Sequence, residues 1–181
     1  MVDNLNNIKV YHGSYTEVQT PDLNKCKEGK DFGKSFYITT DIEQAKDFAK
    51  KVAIRYGKPN GVLNIYQLND FDNISVYQFR SANQSWLDCV VGNRNEEYSS
   101  LSSRWKDYEV IIGKVADDDY QRVINRYMAE TYGAIGSQIA RKLAVKDFKV
   151  EKLNNQICLR TDSAIKKLEF IRSEIVWQRQ K

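Results

Sequence analysis

The chain has 181 residues, 41% of them hydrophobic, which is enough to bury a core without disulfides or a structural metal. No apolar run is long enough to cross a bilayer, and the segment Met1–Asn7 lacks the basic and apolar regions of a secretory signal. We therefore expect one cytoplasmic domain spanning residues 1–181. The 28 basic and 24 acidic residues are mixed along the chain, so the net charge of +4 permits a nucleic-acid partner without indicating one. Only the tail 166–181 is locally basic.

Cysteine and histidine usage argues against a metal site. Cys26, Cys89 and Cys158 are widely spaced and include no Cys-x-x-Cys pair, which predicts reduced thiols and neither a disulfide framework nor a zinc site. The single histidine, His12, excludes acid-base chemistry by a histidine pair. The sequence thus predicts a site that needs no metal.

The first half of the chain predicts a strand, a long loop, a second strand and a helix. Residues 8–12 read as a strand that ends at a Gly-Ser turn, and residues 16–33 form a polar loop that we expect to be ordered only at its ends. A strand at 35–39 leads into Thr40 and Glu43, which form a capping-box pattern. The helix that follows has a periodic apolar face, predicted to be buried, made of Ile42, Ala45, Phe48, Ala49, Val52, Ala53 and Tyr56.

The second half alternates strands and helices without a strict repeat. The stretch 93–103 reads as a polar loop, and Trp86, Leu87 and the apolar run 110–112 are interpreted as core. The predicted strands are 62–68, 108–113, 156–161 and 168–171, and the predicted helices are 83–91, 117–132, 136–146 and a short one after Asp162. This order favours an α+β domain.

Two short segments are candidates for a functional site. Tyr11-His12-Gly13-Ser14 ends the first strand, and Phe32-Gly33-Lys34-Ser35-Phe36-Tyr37 opens the second. The chain contains no Gly-x-Ser-x-Gly, no P-loop and no Gly-x-Gly-x-x-Gly, so the usual hydrolase and nucleotide-kinase motifs are missing.

Both segments resemble the NAD+-binding motifs of the ADP-ribosyltransferases, in the branch of diphtheria toxin and the poly(ADP-ribose) polymerases. A closer resemblance is to an uncharacterised bacterial family with that fold. This second resemblance rests on the Tyr-His-Gly-Ser start, the segment 30–34, Trp86-Leu87, the strand end 112–117 and the late segment 155–157, and it covers residues 8–176. It implies a split antiparallel or mixed β-sheet core with flanking helices.

The resemblance assigns roles to individual residues. It implies that His12 donates a hydrogen bond to the adenosine ribose, that the backbone of Gly13 pairs with the nicotinamide amide, and that Ser14 supports that amide. It also implies that Tyr37 stacks on the positively charged nicotinamide ring, with Phe48 closing the other side of the slot. The remaining residues expected to contact NAD+ are Tyr11, Phe32, Gly33 and Phe36.

The resemblance implies three catalytic residues: His12, Tyr37 and, on a late strand, Gln156. The family typically has a glutamate on this late strand, and an amide can bond a ribose hydroxyl without supplying a negative charge. Strand alternation predicts that Gln156 and Cys158 share one face while Ile157 and Leu159 share the other. An alternative is that Glu109 or Glu151 supplies a carboxylate instead.

These expectations favour a mono-ADP-ribosyltransferase that uses NAD+ as its substrate, without a metal, to modify a macromolecule. The acceptor, protein or nucleic acid, stays open. Resemblance to toxin-antitoxin systems implies an antitoxin protein as a further partner. The competing hypotheses are a catalytically silent module that binds NAD+, ADP-ribose or a protein, and a basic nucleic-acid-binding protein without chemistry.

Overall fold

Two β-sheets and the helices around them make up the α+β fold. The computed structural model describes residues 5–116, 118–148 and 154–179. Its strands are β1 (Ile8–Ser14), β2 (Phe36–Ile38), β3 (Asn60–Leu68), β4 (Val76–Gln78), β5 (Val110–Lys114), β6 (Asn155–Leu159) and β7 (Leu168–Gln178). Its α-helices are α1 (Ile42–Arg55), α2 (Gln84–Arg94), α3 (Asp118–Met128), α4 (Gln138–Asp147) and α5 (Asp162–Ile165). The expected α+β class with antiparallel and mixed sheets is confirmed.

The first sheet has the strand order β1-β3-β7 and is antiparallel throughout. The second has the order β2-β6-β5-β4, in which only the β4-β5 pair is parallel. One isolated bridge joins the two sheets: the Tyr11 amide donates to the Thr39 carbonyl at 2.8 Å, and the Thr39 amide donates back at 3.0 Å. The sheets therefore meet at this bridge, where β1 of the first sheet runs next to the end of β2 in the second.

The two faces of the second sheet cover different cores. Ile157 and Leu159 of β6 point into the core between the sheets, together with Val10 and Tyr66. Cys158, on the opposite face of β6, lies in a second core with residues of α2, α3 and α4. The alternation predicted for β6 is confirmed, and Trp86, Leu87 and residues 110–112 are buried as expected.

Helix α1 packs on the first sheet through small residues. Its buried residues are Ala45, Ala49 and Ala53, whereas Phe48 is 45% exposed. The predicted apolar face is therefore wrong at Phe48 and Tyr56, which are exposed, whereas Ile42 and Val52 are half-buried and Ile42 packs against the core beneath α1. The predicted cap is also displaced by one residue, since the Asp41 side chain accepts from the amides of Glu43 and Gln44.

Tertiary contacts change the interpretation of two predicted loops. The loop 16–33 is ordered in its middle as well as at its ends, because Leu23–Lys25 form a 3-10 turn capped by the Asp22 side chain and Leu23 packs against the core between the sheets. The polar stretch after Arg94 forms a 3-10 helical segment, Glu96–Trp105. Strand β4 was not predicted, and β7 runs well past the predicted end of the last strand. No helix among the described residues is long and apolar enough to span a membrane.

Candidate functional site

His12 is held against β2 by its ring. Its Nδ1 lies 2.7 Å from the Tyr37 carbonyl oxygen, and its ring centroid is 4.3 Å from that of Phe36. A carbonyl only accepts, so Nδ1 carries the hydrogen and Nε2 of the neutral ring is an acceptor. Burial lowers the pKa of His12 below its ordinary value of 6.5, although the bond to Tyr37 opposes this shift. Nε2 of neutral His12 is therefore an acceptor, whereas the resemblance implies a donor role for this side chain.

Gly13 is buried, with its side-chain position filled by α1 and its backbone N–H and C=O directed away from β3. A Cβ here would lie 2.2 Å from the Ala45 carbonyl oxygen and 2.7 Å from the Ala49 amide, so glycine is required for α1 to pack on β1. Because backbone groups alternate along a strand, the N–H and C=O of Gly13 point to the same edge as those of Tyr11. That edge is past the Tyr11-Thr39 bridge, and no described residue bonds the Gly13 backbone there.

The neighbours of Gly13 complete this end of β1. Tyr11 supplies the backbone bridge to Thr39, and its side chain packs against the small core beneath α1. Ser14 is half-buried and lies on the same face of β1 as His12. The fold therefore places His12, Ser14 and the backbone N–H and C=O of Gly13 together, where the two sheets separate.

Tyr37 is anchored at its hydroxyl. The hydroxyl donates to the Gly33 carbonyl at 2.8 Å and accepts from the Phe32 amide at 3.0 Å, which ties β2 to the preceding loop. Burial raises the pKa of Tyr37 well above its ordinary value, so the hydroxyl is protonated at neutral pH. The ring is half-buried and pairs in register with Cys158 of β6, which puts it on the same face as Gln156.

Gln156 is oriented by two acceptors. Its Nε2 donates to Asp31 Oδ2 at 2.8 Å and lies 3.4 Å from the Lys114 carbonyl oxygen. Because neither partner can donate, the amide orientation is determined and Oε1 remains the acceptor end. No described residue bonds Oε1. Gln156 is only 9% exposed, so this orientation is held within the protein.

Asp31 belongs to a buried polar chain that reaches α3. Arg94 Nε donates to Asp31 Oδ1 at 2.9 Å, and both side chains are largely buried, at 16% and 14% exposure. Arg94 also donates to Gln121, whose amide donates to Asn125 at 2.7 Å. Asp31 is thus a carboxylate next to Gln156, and its charge is balanced by Arg94.

The sequence interpretation did not single out Asp31 or Arg94. Asp31 lies within the segment 30–34, which contributes to the family resemblance but gives Asp31 no role of its own. Arg94 ends α2, where a basic residue is usually explained by the helix dipole. A lone acid and a lone base 63 residues apart give no pattern, so only the fold reveals the pair.

Three residues expected to contact NAD+ are buried and pack within the protein. Phe32 is fully buried and stacks on Phe79 with ring centroids 5.7 Å apart. Phe36 is 5% exposed and supports the His12 ring. Gly33 is buried at a φ of +80°, a conformation that favours glycine, and its carbonyl holds the Tyr37 hydroxyl. Phe48 differs from these three because its exposed ring on α1 is accessible to a ligand.

The carboxylate alternatives gain no support. Glu109 accepts from the Ser75 amide at 3.0 Å and from the Thr161 hydroxyl at 3.1 Å, at the opposite end of β5 from Gln156. Gln156 pairs with Gly113, which follows Glu109 by four residues, so the two positions are about 13 Å apart along the sheet. Glu151 lies outside the described residues. Among the described residues, no cluster of three His, Cys, Asp or Glu side chains is placed to hold a metal ion.

Comparison with known proteins places the chain in a family. The profile of the family described as protein of unknown function DUF3990 matches residues 8–170. The chain belongs to this family. The match includes β1, β2 and β6 and therefore His12, Tyr37 and Gln156. Neither the curated proteins nor the solved structures give a significant match.

Proposed function

We propose that this DUF3990 chain has an ADP-ribosyltransferase-like fold and is a mono-ADP-ribosyltransferase that uses NAD+ to modify a macromolecule. The observation that carries the proposal is the separation of the two sheets beyond the Tyr11-Thr39 bridge. At this place the free N–H and C=O of Gly13 form a donor and acceptor pair of the kind that a carboxamide needs. Nicotinamide offers such a carboxamide on a planar cationic ring.

The side chains around that edge match the rest of the ligand. His12 Nε2 accepts a ribose hydroxyl, while the partly exposed rings of Tyr37 and Phe48 offer faces to the positive nicotinamide. An aromatic face next to a cation contributes about 0.5 to 2 kcal/mol. Next to these rings, a flat cationic group with a carboxamide, such as nicotinamide, is thus favoured over an anionic group.

The chemistry that fits these residues is cleavage of the nicotinamide-ribose bond. The reaction develops positive charge on the ribose, as glycoside hydrolysis does. Gln156 Oε1 accepts a ribose hydroxyl and stabilises this charge as a dipole, because Asp31 and Lys114 hold the amide nitrogen. The acceptor is a macromolecule, and an antitoxin protein is the partner expected if the chain is a toxin.

One observation favours a second function, a silent module that binds NAD+ or ADP-ribose. The carboxylate nearest to Gln156 is Asp31, and Arg94 balances its charge. Among the described residues, no carboxylate without a cationic partner bonds Gln156, and a protein of this second function would bind the ligand without turnover.

Labelled NAD+ separates the two functions. Protein incubated with adenylate-labelled NAD+ and cell lysate is expected to transfer the label to protein or nucleic acid, and mass spectrometry should find the added ADP-ribose mass. Binding by calorimetry without transferred label would support the silent module. If neither binding nor transfer occurs, the proposal is wrong.

A further inference from the structure

A surface patch next to the candidate site combines exposed aromatic rings with cations. Tyr15 and Tyr56 are 39% and 42% exposed, and their ring centroids are 5.7 Å apart. Lys58 Nζ lies 5.3 Å from the Tyr15 centroid, and Lys27 Nζ lies 4.6 Å from that of Tyr56, to whose hydroxyl it also donates. We name these four residues the tyrosine-lysine patch.

The patch lies in a locally positive environment. Besides Lys27, the cations Lys30 and Arg55 act on the Tyr56 hydroxyl, and together they lower its pKa. Glu28, next to Lys27 in sequence, lies 4.0 Å from Lys34 and is paired with that residue. The Tyr56 side of the patch is therefore locally positive, although the chain as a whole is only weakly basic.

The patch adjoins the proposed NAD+ site through three elements. Tyr15 follows Gly13 by two residues, at most about 7 Å of chain. Tyr56 caps the C-terminal end of α1, the helix that carries Phe48. Lys27 and Lys30 belong to the loop that continues into Asp31. A long polymer bound at the patch would thus extend past the site.

We propose that the tyrosine-lysine patch binds single-stranded nucleic acid, with bases stacking on Tyr15 and Tyr56 and phosphates bound by the surrounding lysines. Stacking faces beside a positive track are the usual means of binding single strands without sequence preference. A duplex hides its base faces, and an acidic peptide would use the charges but not the rings. Both are therefore expected to bind more weakly.

A bound strand would be the acceptor of the transferase, and this role rests on the function proposed above. In that step the bond between nicotinamide and the ribose C1′ breaks, and neutral nicotinamide leaves with the electron pair. A lone pair on an oxygen or nitrogen of the nucleic acid forms the new bond to C1′, and the proton of that group passes to solvent. No further reactant is required.

Fluorescence anisotropy with labelled oligonucleotides tests the binding. The probes are single-stranded RNA and DNA of about 12 nucleotides, a duplex of the same sequence and polyglutamate, since sites of this kind cover about 4 to 16 nucleotides. We expect the Tyr15→Leu/Tyr56→Leu double variant to bind single strands at least tenfold more weakly, and Tyr15→Phe/Tyr56→Phe to stay within about twofold.

The lysines are tested through salt dependence. Each lost phosphate contact should reduce the slope of log affinity against log salt by about 0.7 for a single strand. Lys27→Gln/Lys58→Gln should show this reduction, whereas Lys142→Gln/Lys146→Gln on the exposed side of α4 should not. Thermal melting checks that each variant is folded.

Three results would overturn the proposal: equal affinity in the Leu and Phe double variants, equal binding of polyglutamate and single strands, or preference for the duplex. Strand binding without NAD+ binding would leave the patch standing and refute the transferase. Label transfer from NAD+ only to protein, with no strand binding, would refute the patch and keep the transferase.

Discussion

On the first sheet, the backbone groups nearest the candidate site face an open edge, whereas on the second sheet the polar side chains already bond one another. Gly13 leaves its N–H and C=O without a partner among the described residues, past the last bridge between the sheets. Gln156, in contrast, is fixed by Asp31 and Lys114, and Asp31 by Arg94. The Gly13 backbone can therefore form new hydrogen bonds with a ligand, whereas the Gln156 side chain is already held in one orientation.

This difference suggests that the two groups of residues contribute differently to ligand binding and to catalysis. Free backbone groups and exposed rings supply binding energy, because a ligand replaces water there. A side chain whose geometry is set beforehand supplies little to ground-state binding, but it stabilises charge in the transition state without reorganisation. We therefore expect substitutions of the first-sheet groups and of the aromatic rings to change affinity, and substitutions of Gln156 or Asp31 to change turnover.

The largest expected effect is on stability, at Gly13. Gly13→Ala places a methyl group 2.2 Å from the Ala45 carbonyl oxygen, so α1 must move away from β1. The cost of such overpacking should be about 3 kcal/mol in the free energy of unfolding, measured by urea denaturation. Ser14→Ala is the neighbouring control and should change stability by less than about 0.5 kcal/mol. Equal stability of the two variants would show that the α1 contact is loose.

On the second sheet, Gln156→Ala should lower turnover by about 10²-fold, the scale of one lost transition-state hydrogen bond. Gln156→Glu should also lower NAD+ hydrolysis, because the oxygen that replaces Nε2 would face two acceptors, Asp31 and the Lys114 carbonyl, in a site that is only 9% exposed. The measurement is kcat for nicotinamide release. Wild-type turnover in Gln156→Ala, together with loss in Glu109→Gln or Glu151→Gln, would move the third catalytic position to a carboxylate.

The contrast between the sheets also explains what the sequence could predict. Local patterns predict the alternation of β6 and the core position of Trp86, but the turn expected at Gly13-Ser14 is wrong, because both residues pair with β3 and continue strand β1. They fail where distant segments meet. The exposed position of Phe48 depends on how closely α1 approaches Gly13, and the Asp31-Arg94 pair forms only when the loop 16–33 folds over α2. Neither the approach nor the pairing leaves a periodic signal in the chain.

The short elements illustrate the same limit. Strand β4 has three residues, Val76–Gln78, and is a strand only because β5 provides a parallel partner. The 3-10 segment after Arg94 is rich in serine, which favours loops by propensity, but Trp105 anchors it in the core. In both cases tertiary contacts override weak local preferences.

Affinity is the property that the first sheet and the aromatic slot should control. His12→Ala and Tyr37→Ala should each weaken NAD+ binding by roughly 1 to 3 kcal/mol, the scale of a buried hydrogen bond or an aromatic contact. Isothermal titration calorimetry measures the change. Tyr37→Phe keeps the ring and should bind like wild type if stacking dominates. Wild-type affinity in both alanine variants would show that the site is elsewhere.

Asp31→Asn is expected to have a smaller effect, about a tenfold loss of kcat with little change in KM for NAD+. An asparagine side chain can present its NH2 group to Gln156 and so no longer fixes the amide orientation. Asp88→Asn is a matched control, because Asp88 pairs with Arg141 at 2.8 Å and is 15% exposed. Both variants should lose stability, but only Asp31→Asn should lose turnover. An equal loss of kcat in both would assign Asp31 a merely structural role.

The smallest expected effect is a pH dependence that arises from His12, the single histidine of the chain. Its pKa in the folded protein lies below 6.5 because burial disfavours the charged ring, so the unfolded chain binds more protons near pH 6. Unfolding therefore becomes more favourable as the pH falls below about 6.5, and the effect is absent above that pH. Between pH 7.5 and 5.5, urea denaturation should show wild type losing up to about 1 kcal/mol more than His12→Asn. Equal losses in the two proteins would mean that His12 titrates normally and that its Nε2 is a donor below neutral pH. The open edge of the first sheet would then repel the cationic nicotinamide under those conditions.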